Sequence, residues 1–352
     1  MKTRKLTFLL ILPAFAALFS CRSRNVATRV MVAFYNCENF FDTIHNPAVD
    51  DTGFTPSGKY HYTQKIYEQK LRNIATVIQS ISEKTRPAVI GLAEVENDFV
   101  LKDLIAQPEI AGFHYGYIWY SGHDERGINV AMIYNPEYFK PLKSESLHVI
   151  LDSVKPVAEG SKMNTRDILY VCGILLGDTV NIFINHWPSR TDGDSESSPK
   201  RMAAARVLKG AIGKLRLADS LTNIIIMGDF NDNPADSSIA NVLGASESRN
   251  SGLFDPFKAI YKTGEGTELF NHRWNLFDQV IISKGLLTTS ANQLSYDSAG
   301  IYKPDFLTDH HKGHEGEPFR SWLGNFWLNG YSDHFPVLLY LKKRRVIRIT
   351  GI

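Results

Sequence analysis

The stretch Ile224-Ile225-Ile226-Met227-Gly228-Asp229-Phe230-Asn231-Asp232-Asn233-Pro234 constrains this chain most. Its apolar, β-branched run reads as a buried strand, and the Gly, Asp, Asn and Pro that follow force a turn where the strand stops. Side chains two apart in extended backbone share a face, so the spacing predicts Asp229 and Asn231 pointing the same way. They would do so at a strand's carboxyl end, where open sheets hold ligands. An Asx turn closing a strand explains the same residues without any chemistry. The segment gains meaning only from what the rest of the chain brings to it.

At 352 residues the chain has room for one large domain or two, and 43% hydrophobic residues supply an ample core. A net charge of +2 gives neither the footprint of a strong nucleic-acid binder nor an acidic surface, so only local clusters speak to the partner.

Lys2, Arg4 and Lys5 lead an apolar run from Leu6 to Phe19 that ends in Ser20 and Cys21. The run is too short to span a bilayer as a mature helix and reads as an export signal. Its Leu-x-Ser-Cys end resembles the bacterial lipobox, which would lipidate Cys21; an ordinary signal peptide with a chance Cys is the alternative. We assign residues 1–20 to a lipoprotein signal peptide, 21–29 to a short tether and 30–352 to a single domain. The expectation is an exported lipoprotein anchored in a bacterial cell envelope, with no protein partner inferable and a monomeric state.

The remaining Cys37 and Cys172 lie in apolar, strand-like surroundings and read as buried small hydrophobes, not as a disulfide framework. No Cys/His zinc spacing occurs. His310, His311 and His314 fall in a polar, Gly-containing loop and read as surface histidines, with opportunistic metal binding the lesser alternative.

In chain order, a strand over 30–35 runs into Asn36 and Glu38, and a loop over 42–62 leads to a helix with Thr63 as N-cap and Ile66, Leu71, Ile74, Ile78 and Ile81 on one face. A buried strand over 88–93 delivers Glu94. A short helix over about 98–106 precedes a hairpin of strands over 114–120 and 128–134, and a weaker strand is expected over about 146–151. A strand pair over 168–176 and 180–185 ends in His186-Trp187-Pro188-Ser189-Arg190. A polar loop over 191–199 and a helix from about Lys200 to Ala218 lead to the strand ending at Asp229. Later come a strand over 276–283 carrying Asp278, an aromatic loop, Ser332-Asp333-His334 and a last strand over 335–341. Helices alternate with strands while several strands join as hairpins, which predicts mixed sheets stacked with helices outside.

Strand ends thus carry Asn36 and Glu38, Glu94, His186, Asp229 and Asn231, Asp278, and Asp333 with His334. Carboxylate and amide oxygens suit a hard divalent cation, and the absence of Cys ligands argues against zinc. The set resembles the endonuclease/exonuclease/phosphatase superfamily. Asn36 with Glu38 looks like its first motif and Glu94 like its metal-binding Glu. Asn185-His186 resembles the central His motif, Gly228-Asp229-Phe230-Asn231 the Gly-Asp-x-Asn signature and Ser332-Asp333-His334 the closing Ser-Asp-His. Asp278 matches the Asp that pairs with the last His. The motifs fall in family order over about 30–341 and are closest to bacterial secreted nuclease-like members. His186 stands where the apurinic endonucleases have a Tyr, so the chain sides there with the deoxyribonuclease and sphingomyelinase branches.

The resemblance implies a four-layered α/β sandwich of two mixed sheets packed face to face with helices outside. It implies Glu94, helped by Asn36, Glu38 and Asp333, as holders of Mg²⁺, with Mn²⁺ or Ca²⁺ as alternatives. Asp229 would act as base with Asn231 orienting the water. His334, held by Asp278, would bond the phosphate as a cation, and His186 would protonate or stabilise the leaving alkoxide. Arg126 and Arg166 are candidate phosphate contacts, with surface arginines the alternative.

A nucleic-acid phosphodiester is the favoured substrate. Arg190, Lys200, Arg201 and Arg206, and the tail Lys342 to Arg345, would offer basic surface. A phospholipid, sphingomyelin or inositol-phosphate substrate remains the alternative, with the aromatic loop Phe319 to Tyr331 as lipid contact or structural lid. A non-catalytic binding module is the third reading.

Overall fold

The computed structural model describes residues 22–151, 154, 164–191, 193–270, 272–288, 290 and 292–349. The first half runs β1 (Arg22–Phe40), α1 (Gln64–Ser82), β2 (Pro87–Val95), α2 (Asp98–Ile105), β3 (Gly116–Trp119), β4 (Asn129–Tyr134), β5 (Phe139–Leu147), β6 (Ile168–Leu175) and β7 (Asp178–His186). Next come α3 (Asp194–Ala218), β8 (Ile224–Asp229), β9 (Ala245–Ser246), β10 (Leu253–Phe254), α4 (Phe257–Tyr261), β11 (Glu268–Phe270), β12 (Arg273–Asn275) and β13 (Asp278–Ser283). The chain closes with β14 (Leu294–Ile301), β15 (Trp322–Leu323), β16 (Phe326–Trp327) and β17 (Val337–Ile349).

One sheet has the order β14-β17-β1-β2-β4-β3 and the other β5-β6-β7-β8-β13-β10-β9. Both are mixed, because β1 and β2 run parallel across the α1 connection, β7 and β8 run parallel across α3, and hairpins supply the antiparallel neighbours. Parallel neighbours need such a long crossover, and a helix is its usual form.

Alternation along the central strands sorts side chains into two directions. Met31, Ala33 and Tyr35 of β1 pack with Ile74 and Ile78 of α1. Val30, Val32 and Phe34 face Ile182, Ile184, Ile225, Met227, Val280 and Ile282 of the other sheet. Ile224 and Ile226 of β8 pack in turn with Ala204, Leu208 and Ile212 of α3. The result is a four-layered α/β sandwich with three apolar interfaces. At its middle, Gly91 lets the sheets approach closely: a Cβ there would stand 2.7 Å from the Met227 sulfur.

These inter-sheet rows position the polar residues. Val32 and Phe34 are followed by Asn36, Ile182 and Ile184 by His186, Ile225 and Met227 by Asp229, while Val280 and Ile282 are preceded by Asp278. Because β13 runs antiparallel to β8, Asp278 pairs in register with Asp229, and Asp229 with His186 on the parallel β7. All of these side chains leave the apolar layer at the same edge of the sandwich.

Some boundaries differ from the sequence expectation. The weak strand lies at Phe139–Leu147, paired with β6, not at 146–151. The long helix starts at Asp194, with Pro199 inside it, where the Ser, Asp and Gly content had suggested loop; Asp194 and Glu196 in its first turn complement the helix dipole. Thr63 is the N-cap of α1 but its side chain makes no capping bond, whereas Asn97 caps α2 by accepting from the Phe99 and Val100 amides. Strand β14 had no counterpart in the sequence reading. Residues 1–20 and Cys21 lie outside the described residues, and no described helix is long and apolar enough to cross a membrane.

Candidate active site

At the edge where the inter-sheet rows end is a cavity of about 170 Å³ lined by Glu94, Arg126, Arg166, His186, Arg190, Asp229, Asn231, Glu268, Asp333 and His334, with Ser189, Thr191, Phe270 and Phe277. Asp229, only 2% exposed, is held by two donors: the Asn36 amide at 3.0 Å on Oδ2 and the Asn231 backbone N–H at 2.9 Å on Oδ1. Gly228 is required for this placement. A Cβ there would lie 2.3 Å from the Asn185 carbonyl oxygen.

Asp278 Oδ2 lies 2.7 Å from His334 Nδ1, leaving His334 Nε2 to face Asp229 at 3.8 Å, Glu268 at 3.9 Å and Asp333 at 3.8 Å. The Ser332 hydroxyl donates to the Asn36 carbonyl at 2.7 Å and accepts the His334 amide at 3.1 Å, so the closing motif is pinned to the opening one. Opposite, Arg166 donates to Asp124 at 3.2 Å, to the Trp187 carbonyl at 2.9 Å and to Nε2 of His186 at 3.0 Å. His186 Nε2 is 3.6 Å from Asp229 and 3.9 Å from Glu94.

Glu94 and Asn231 carry positive φ, +61° and +50°. A register shift between Leu92 and Val95 accompanies the left-handed turn at Glu94, which brings into the cavity a side chain whose strand parity matches the helix-facing Ile90 and Leu92. Left-handed backbone costs a non-Gly residue roughly 1–2 kcal/mol and tends to persist at functional sites. Asn231 faces the same cavity as Asp229 through this turn, not through strand alternation.

Burial raises the Asp229 pKa to about 7, with His334 opposing and Asp278 adding. Burial likewise lifts Glu268 to about 8, again opposed by His334 and reinforced by Asp333 and Asp229. Burial works against charge on His334, yet Asp278, Glu268 and Asp229 together hold its pKa well above the ordinary value, so the ring is a cation. Burial, then Arg166, Arg126 and His334, push His186 well below it. His186 is therefore a neutral ring that accepts from a guanidinium, so of the two roles the sequence suggested, protonating or stabilising the leaving alkoxide, it is not poised for the first; positive charge beside it comes from Arg166.

Of the expected metal-binding residues, Glu94 and Asp333 line the cavity. Glu38 does not: its two carboxylate oxygens accept from the Ser321 amide at 2.6 Å and the Trp322 amide at 3.1 Å. Asn36 uses its Oδ1 on the Glu38 amide and its Nδ2 on Asp229, which makes it a positioning residue for Asp229. Sequence reasoning missed Glu268 and Asp124. Glu268 arrives on the short β11–β12 hairpin, inside a stretch of weak pattern, and Asp124 falls between the two strands expected over 114–120 and 128–134.

The basic groove expected after His186 is not formed as such. Arg201 is fully buried and paired with Asp232 at 2.6 Å and Asp194 at 2.7 Å, and Arg206 lines a separate cavity. Arg190 lines the site while bonded to Asp232 at 2.7 Å and to the Asn231 carbonyl at 2.7 Å. In the tail, Lys342 pairs with Asp297 at 2.8 Å and Lys343 with Asp178 at 2.9 Å. Trp322 of the aromatic loop is buried against Tyr60 and Trp327, while His310 and His311 are exposed and His314 half-buried beside Asp305, Asp309 and Glu317.

The residues present fit a divalent cation. Carboxylate oxygens of Glu268 and Asp333 lie within 4.8 Å of one another beside His334, and Glu94 adds a carboxylate on the cavity wall. The donors are mainly carboxylate oxygens, suited to a hard ion.

The model of the Endonuclease/Exonuclease/phosphatase family matches residues 31–343. No curated protein matches the chain. Among solved structures, D. rerio TDP2 complexed with single strand DNA product is 16% identical, with a TM-score of 0.54 over 89% of this chain and 99% of that one. A mannosyl-6-phosphatase of Bacteroides thetaiotaomicron is also 16% identical, with a TM-score of 0.54 over 89% and 99%. The human Nocturnin catalytic domain with bound sulfate is 15% identical, with a TM-score of 0.51 over 92% and 97%. These likenesses establish the fold; the family match does more. The chain belongs to the endonuclease/exonuclease/phosphatase family of divalent-metal-dependent phosphoester hydrolases.

Proposed function

We propose that the protein hydrolyses phosphodiester bonds of nucleic acid, with water as nucleophile and Mg²⁺ as the physiological ion, Mn²⁺ or Ca²⁺ being substitutes. One observation carries the reading: a buried base, Asp229, faces an imidazolium, His334, across a cavity that Arg126 and Arg166 also line. A volume of 170 Å³ is small beside the roughly 300–1,000 Å³ of ordinary ligand sites. That size supports a substrate that inserts one phosphate and leaves the rest of a longer molecule outside. The single strand DNA product in the TDP2 structure supports the same class.

In this reading Asp229, whose pKa of about 7 suits proton transfer near neutrality, accepts the proton of the attacking water. Asn231 donates its Nδ2 to the Trp187 carbonyl at 3.0 Å and keeps its Oδ1 to orient that water. His334 bonds a non-bridging phosphate oxygen through Nε2 while Asp278 holds Nδ1. His186 orients Arg166, whose charge stabilises the leaving oxygen. Glu94, Asp333 and Glu268 would hold the divalent cation, which would supply charge neutralisation for the phosphoryl oxygens.

Purified protein with Mg²⁺ should be assayed on plasmid DNA, RNA, sphingomyelin and a sugar phosphate. Cleavage of nucleic acid is expected; cleavage of lipid or sugar phosphate alone overturns the proposal. Phospholipid stays the second reading because Phe326 and Leu323, at the β15–β16 tip, are 77% and 43% exposed.

We further propose export and lipid attachment at Cys21, supported by the basic, apolar and Leu-Phe-Ser-Cys succession of residues 2–21, and one domain over 30–352. Mass spectrometry of the mature amino terminus tests the anchor: an unmodified Cys21 would rule it out.

A further inference from the structure

We propose that His123, His148 and Asp167 form a second metal site, distinct from the hydrolytic cavity, for a divalent transition ion of the zinc class. Both imidazoles aim Nδ1 at one carboxylate: His123 lies 3.0 Å and 3.1 Å from the two Asp167 oxygens, and His148 lies 3.0 Å from Oδ1. The ring centroids are 3.8 Å apart, and one ligating atom from each residue falls within a common 4.8 Å. Neighbouring ligands around a tetrahedral ion with bonds of about 2.0–2.1 Å stand roughly 3.3 Å apart. The nitrogen–oxygen spacings from both rings to Oδ1 of Asp167 reach that value by a few tenths of an ångström of movement. Both rings are half exposed and free to make it, while Asp167 is buried and fixed by the Ser146 hydroxyl at 2.9 Å.

The donor chemistry separates this site from the hydrolytic one. Two imidazole nitrogens with one carboxylate favour Zn²⁺, Ni²⁺ or Cu²⁺, whereas carboxylate-rich sites favour Mg²⁺. Solvent reaches the exposed side of the rings, so water completes the coordination.

Position in the fold gives the site a purpose. His123 directly precedes Asp124, and Asp167 directly follows Arg166, whose guanidinium Asp124 holds at 3.2 Å. Residues 120–124 and 164–167 have no helix or strand, yet they orient the cavity's arginines. An ion joining His123 to Asp167, with His148 from beyond the end of β5, fastens these two segments through residues that do not themselves line the cavity.

The test is calorimetric titration of Zn²⁺ into the full-length protein with Mg²⁺ in large excess, so that the hydrolytic site is filled. The wild type should take up one equivalent. The His123→Ala/His148→Ala variant, checked for native circular dichroism, should lose that uptake, and His148→Ala alone should weaken it. No saturable uptake by the wild type, or undiminished uptake by the double variant, overturns the proposal.

Discussion

Arg166 donates to Nε2 of His186 at 3.0 Å, so the positive charge on that wall of the cavity belongs to a guanidinium and not to the imidazole. The same guanidinium is spread over Asp124, His186 and the Trp187 carbonyl. A lysine offers a point charge without the planar fork. Arg166→Lys should therefore cost about 1.5–3 kcal/mol of transition-state stabilisation, roughly ten- to a hundredfold in kcat/KM. Steady-state kinetics on the substrate found in the panel checks this; wild-type kcat/KM in Arg166→Lys would remove Arg166 from the mechanism.

Glu268 gives a prediction in pH. A carboxyl whose folded pKa is raised binds its proton more tightly folded than unfolded, so its contribution is present below the ordinary value near ~4.3. That contribution is lost as pH rises through about 8. Without divalent metal, melting temperature should fall between about pH 5 and about pH 9, and Glu268→Gln should lessen the fall. Thermal melts of both proteins, free of metal, decide it. A difference between them that does not change with pH would contradict the assignment.

Gly228 stands under a backbone oxygen, and the neighbour cannot yield as a flexible side chain would. Gly228→Ala should destabilise by about 1–3 kcal/mol and displace Asp229. Denaturant midpoints and kcat together test this, both being expected to drop. An unchanged midpoint would mean that β7 and β8 are not packed as closely as the 2.3 Å approach requires.

Glu38 and Glu94 separate by role. Glu38 Oε1 and Oε2 hold the Trp322 and Ser321 amides, close to the buried Lys70, which donates to the Ser321 hydroxyl and to the Tyr331 carbonyl. Glu38→Ala should lose about 1–3 kcal/mol of stability, because two buried backbone amides are left without their acceptor. Glu94→Gln should instead weaken Mg²⁺ affinity with the melting temperature nearly unchanged. Chemical denaturation and Mg²⁺ titration of both variants check the division; the reverse pattern would restore Glu38 as a ligand.

The sequence carried the central strands and their polar ends clearly, because period-2 alternation and strong turn residues are local. It is that alternation which sends Asn36, His186, Asp229 and Asp278 to one edge. What it could not carry depends on contacts distant in sequence. Glu268 reaches His334 only because the β11–β12 segment is held to the closing motif, the Phe335 amide donating to the Thr267 carbonyl at 2.9 Å. Arg201 looked like solvated helix surface, yet Asp232, 31 residues away, draws it into the interior. The turn of Glu94 into the cavity rests on a strand irregularity that no spacing rule reveals.

The central claim is that Asp229 and His334 act on one phosphate in one cavity. Phosphodiester turnover by Asp229→Asn and His334→Ala at saturating Mg²⁺, with circular dichroism matching the wild type, tests it most directly. Each variant should lose roughly 10²- to 10⁴-fold in kcat. Turnover undiminished in either would contradict the account.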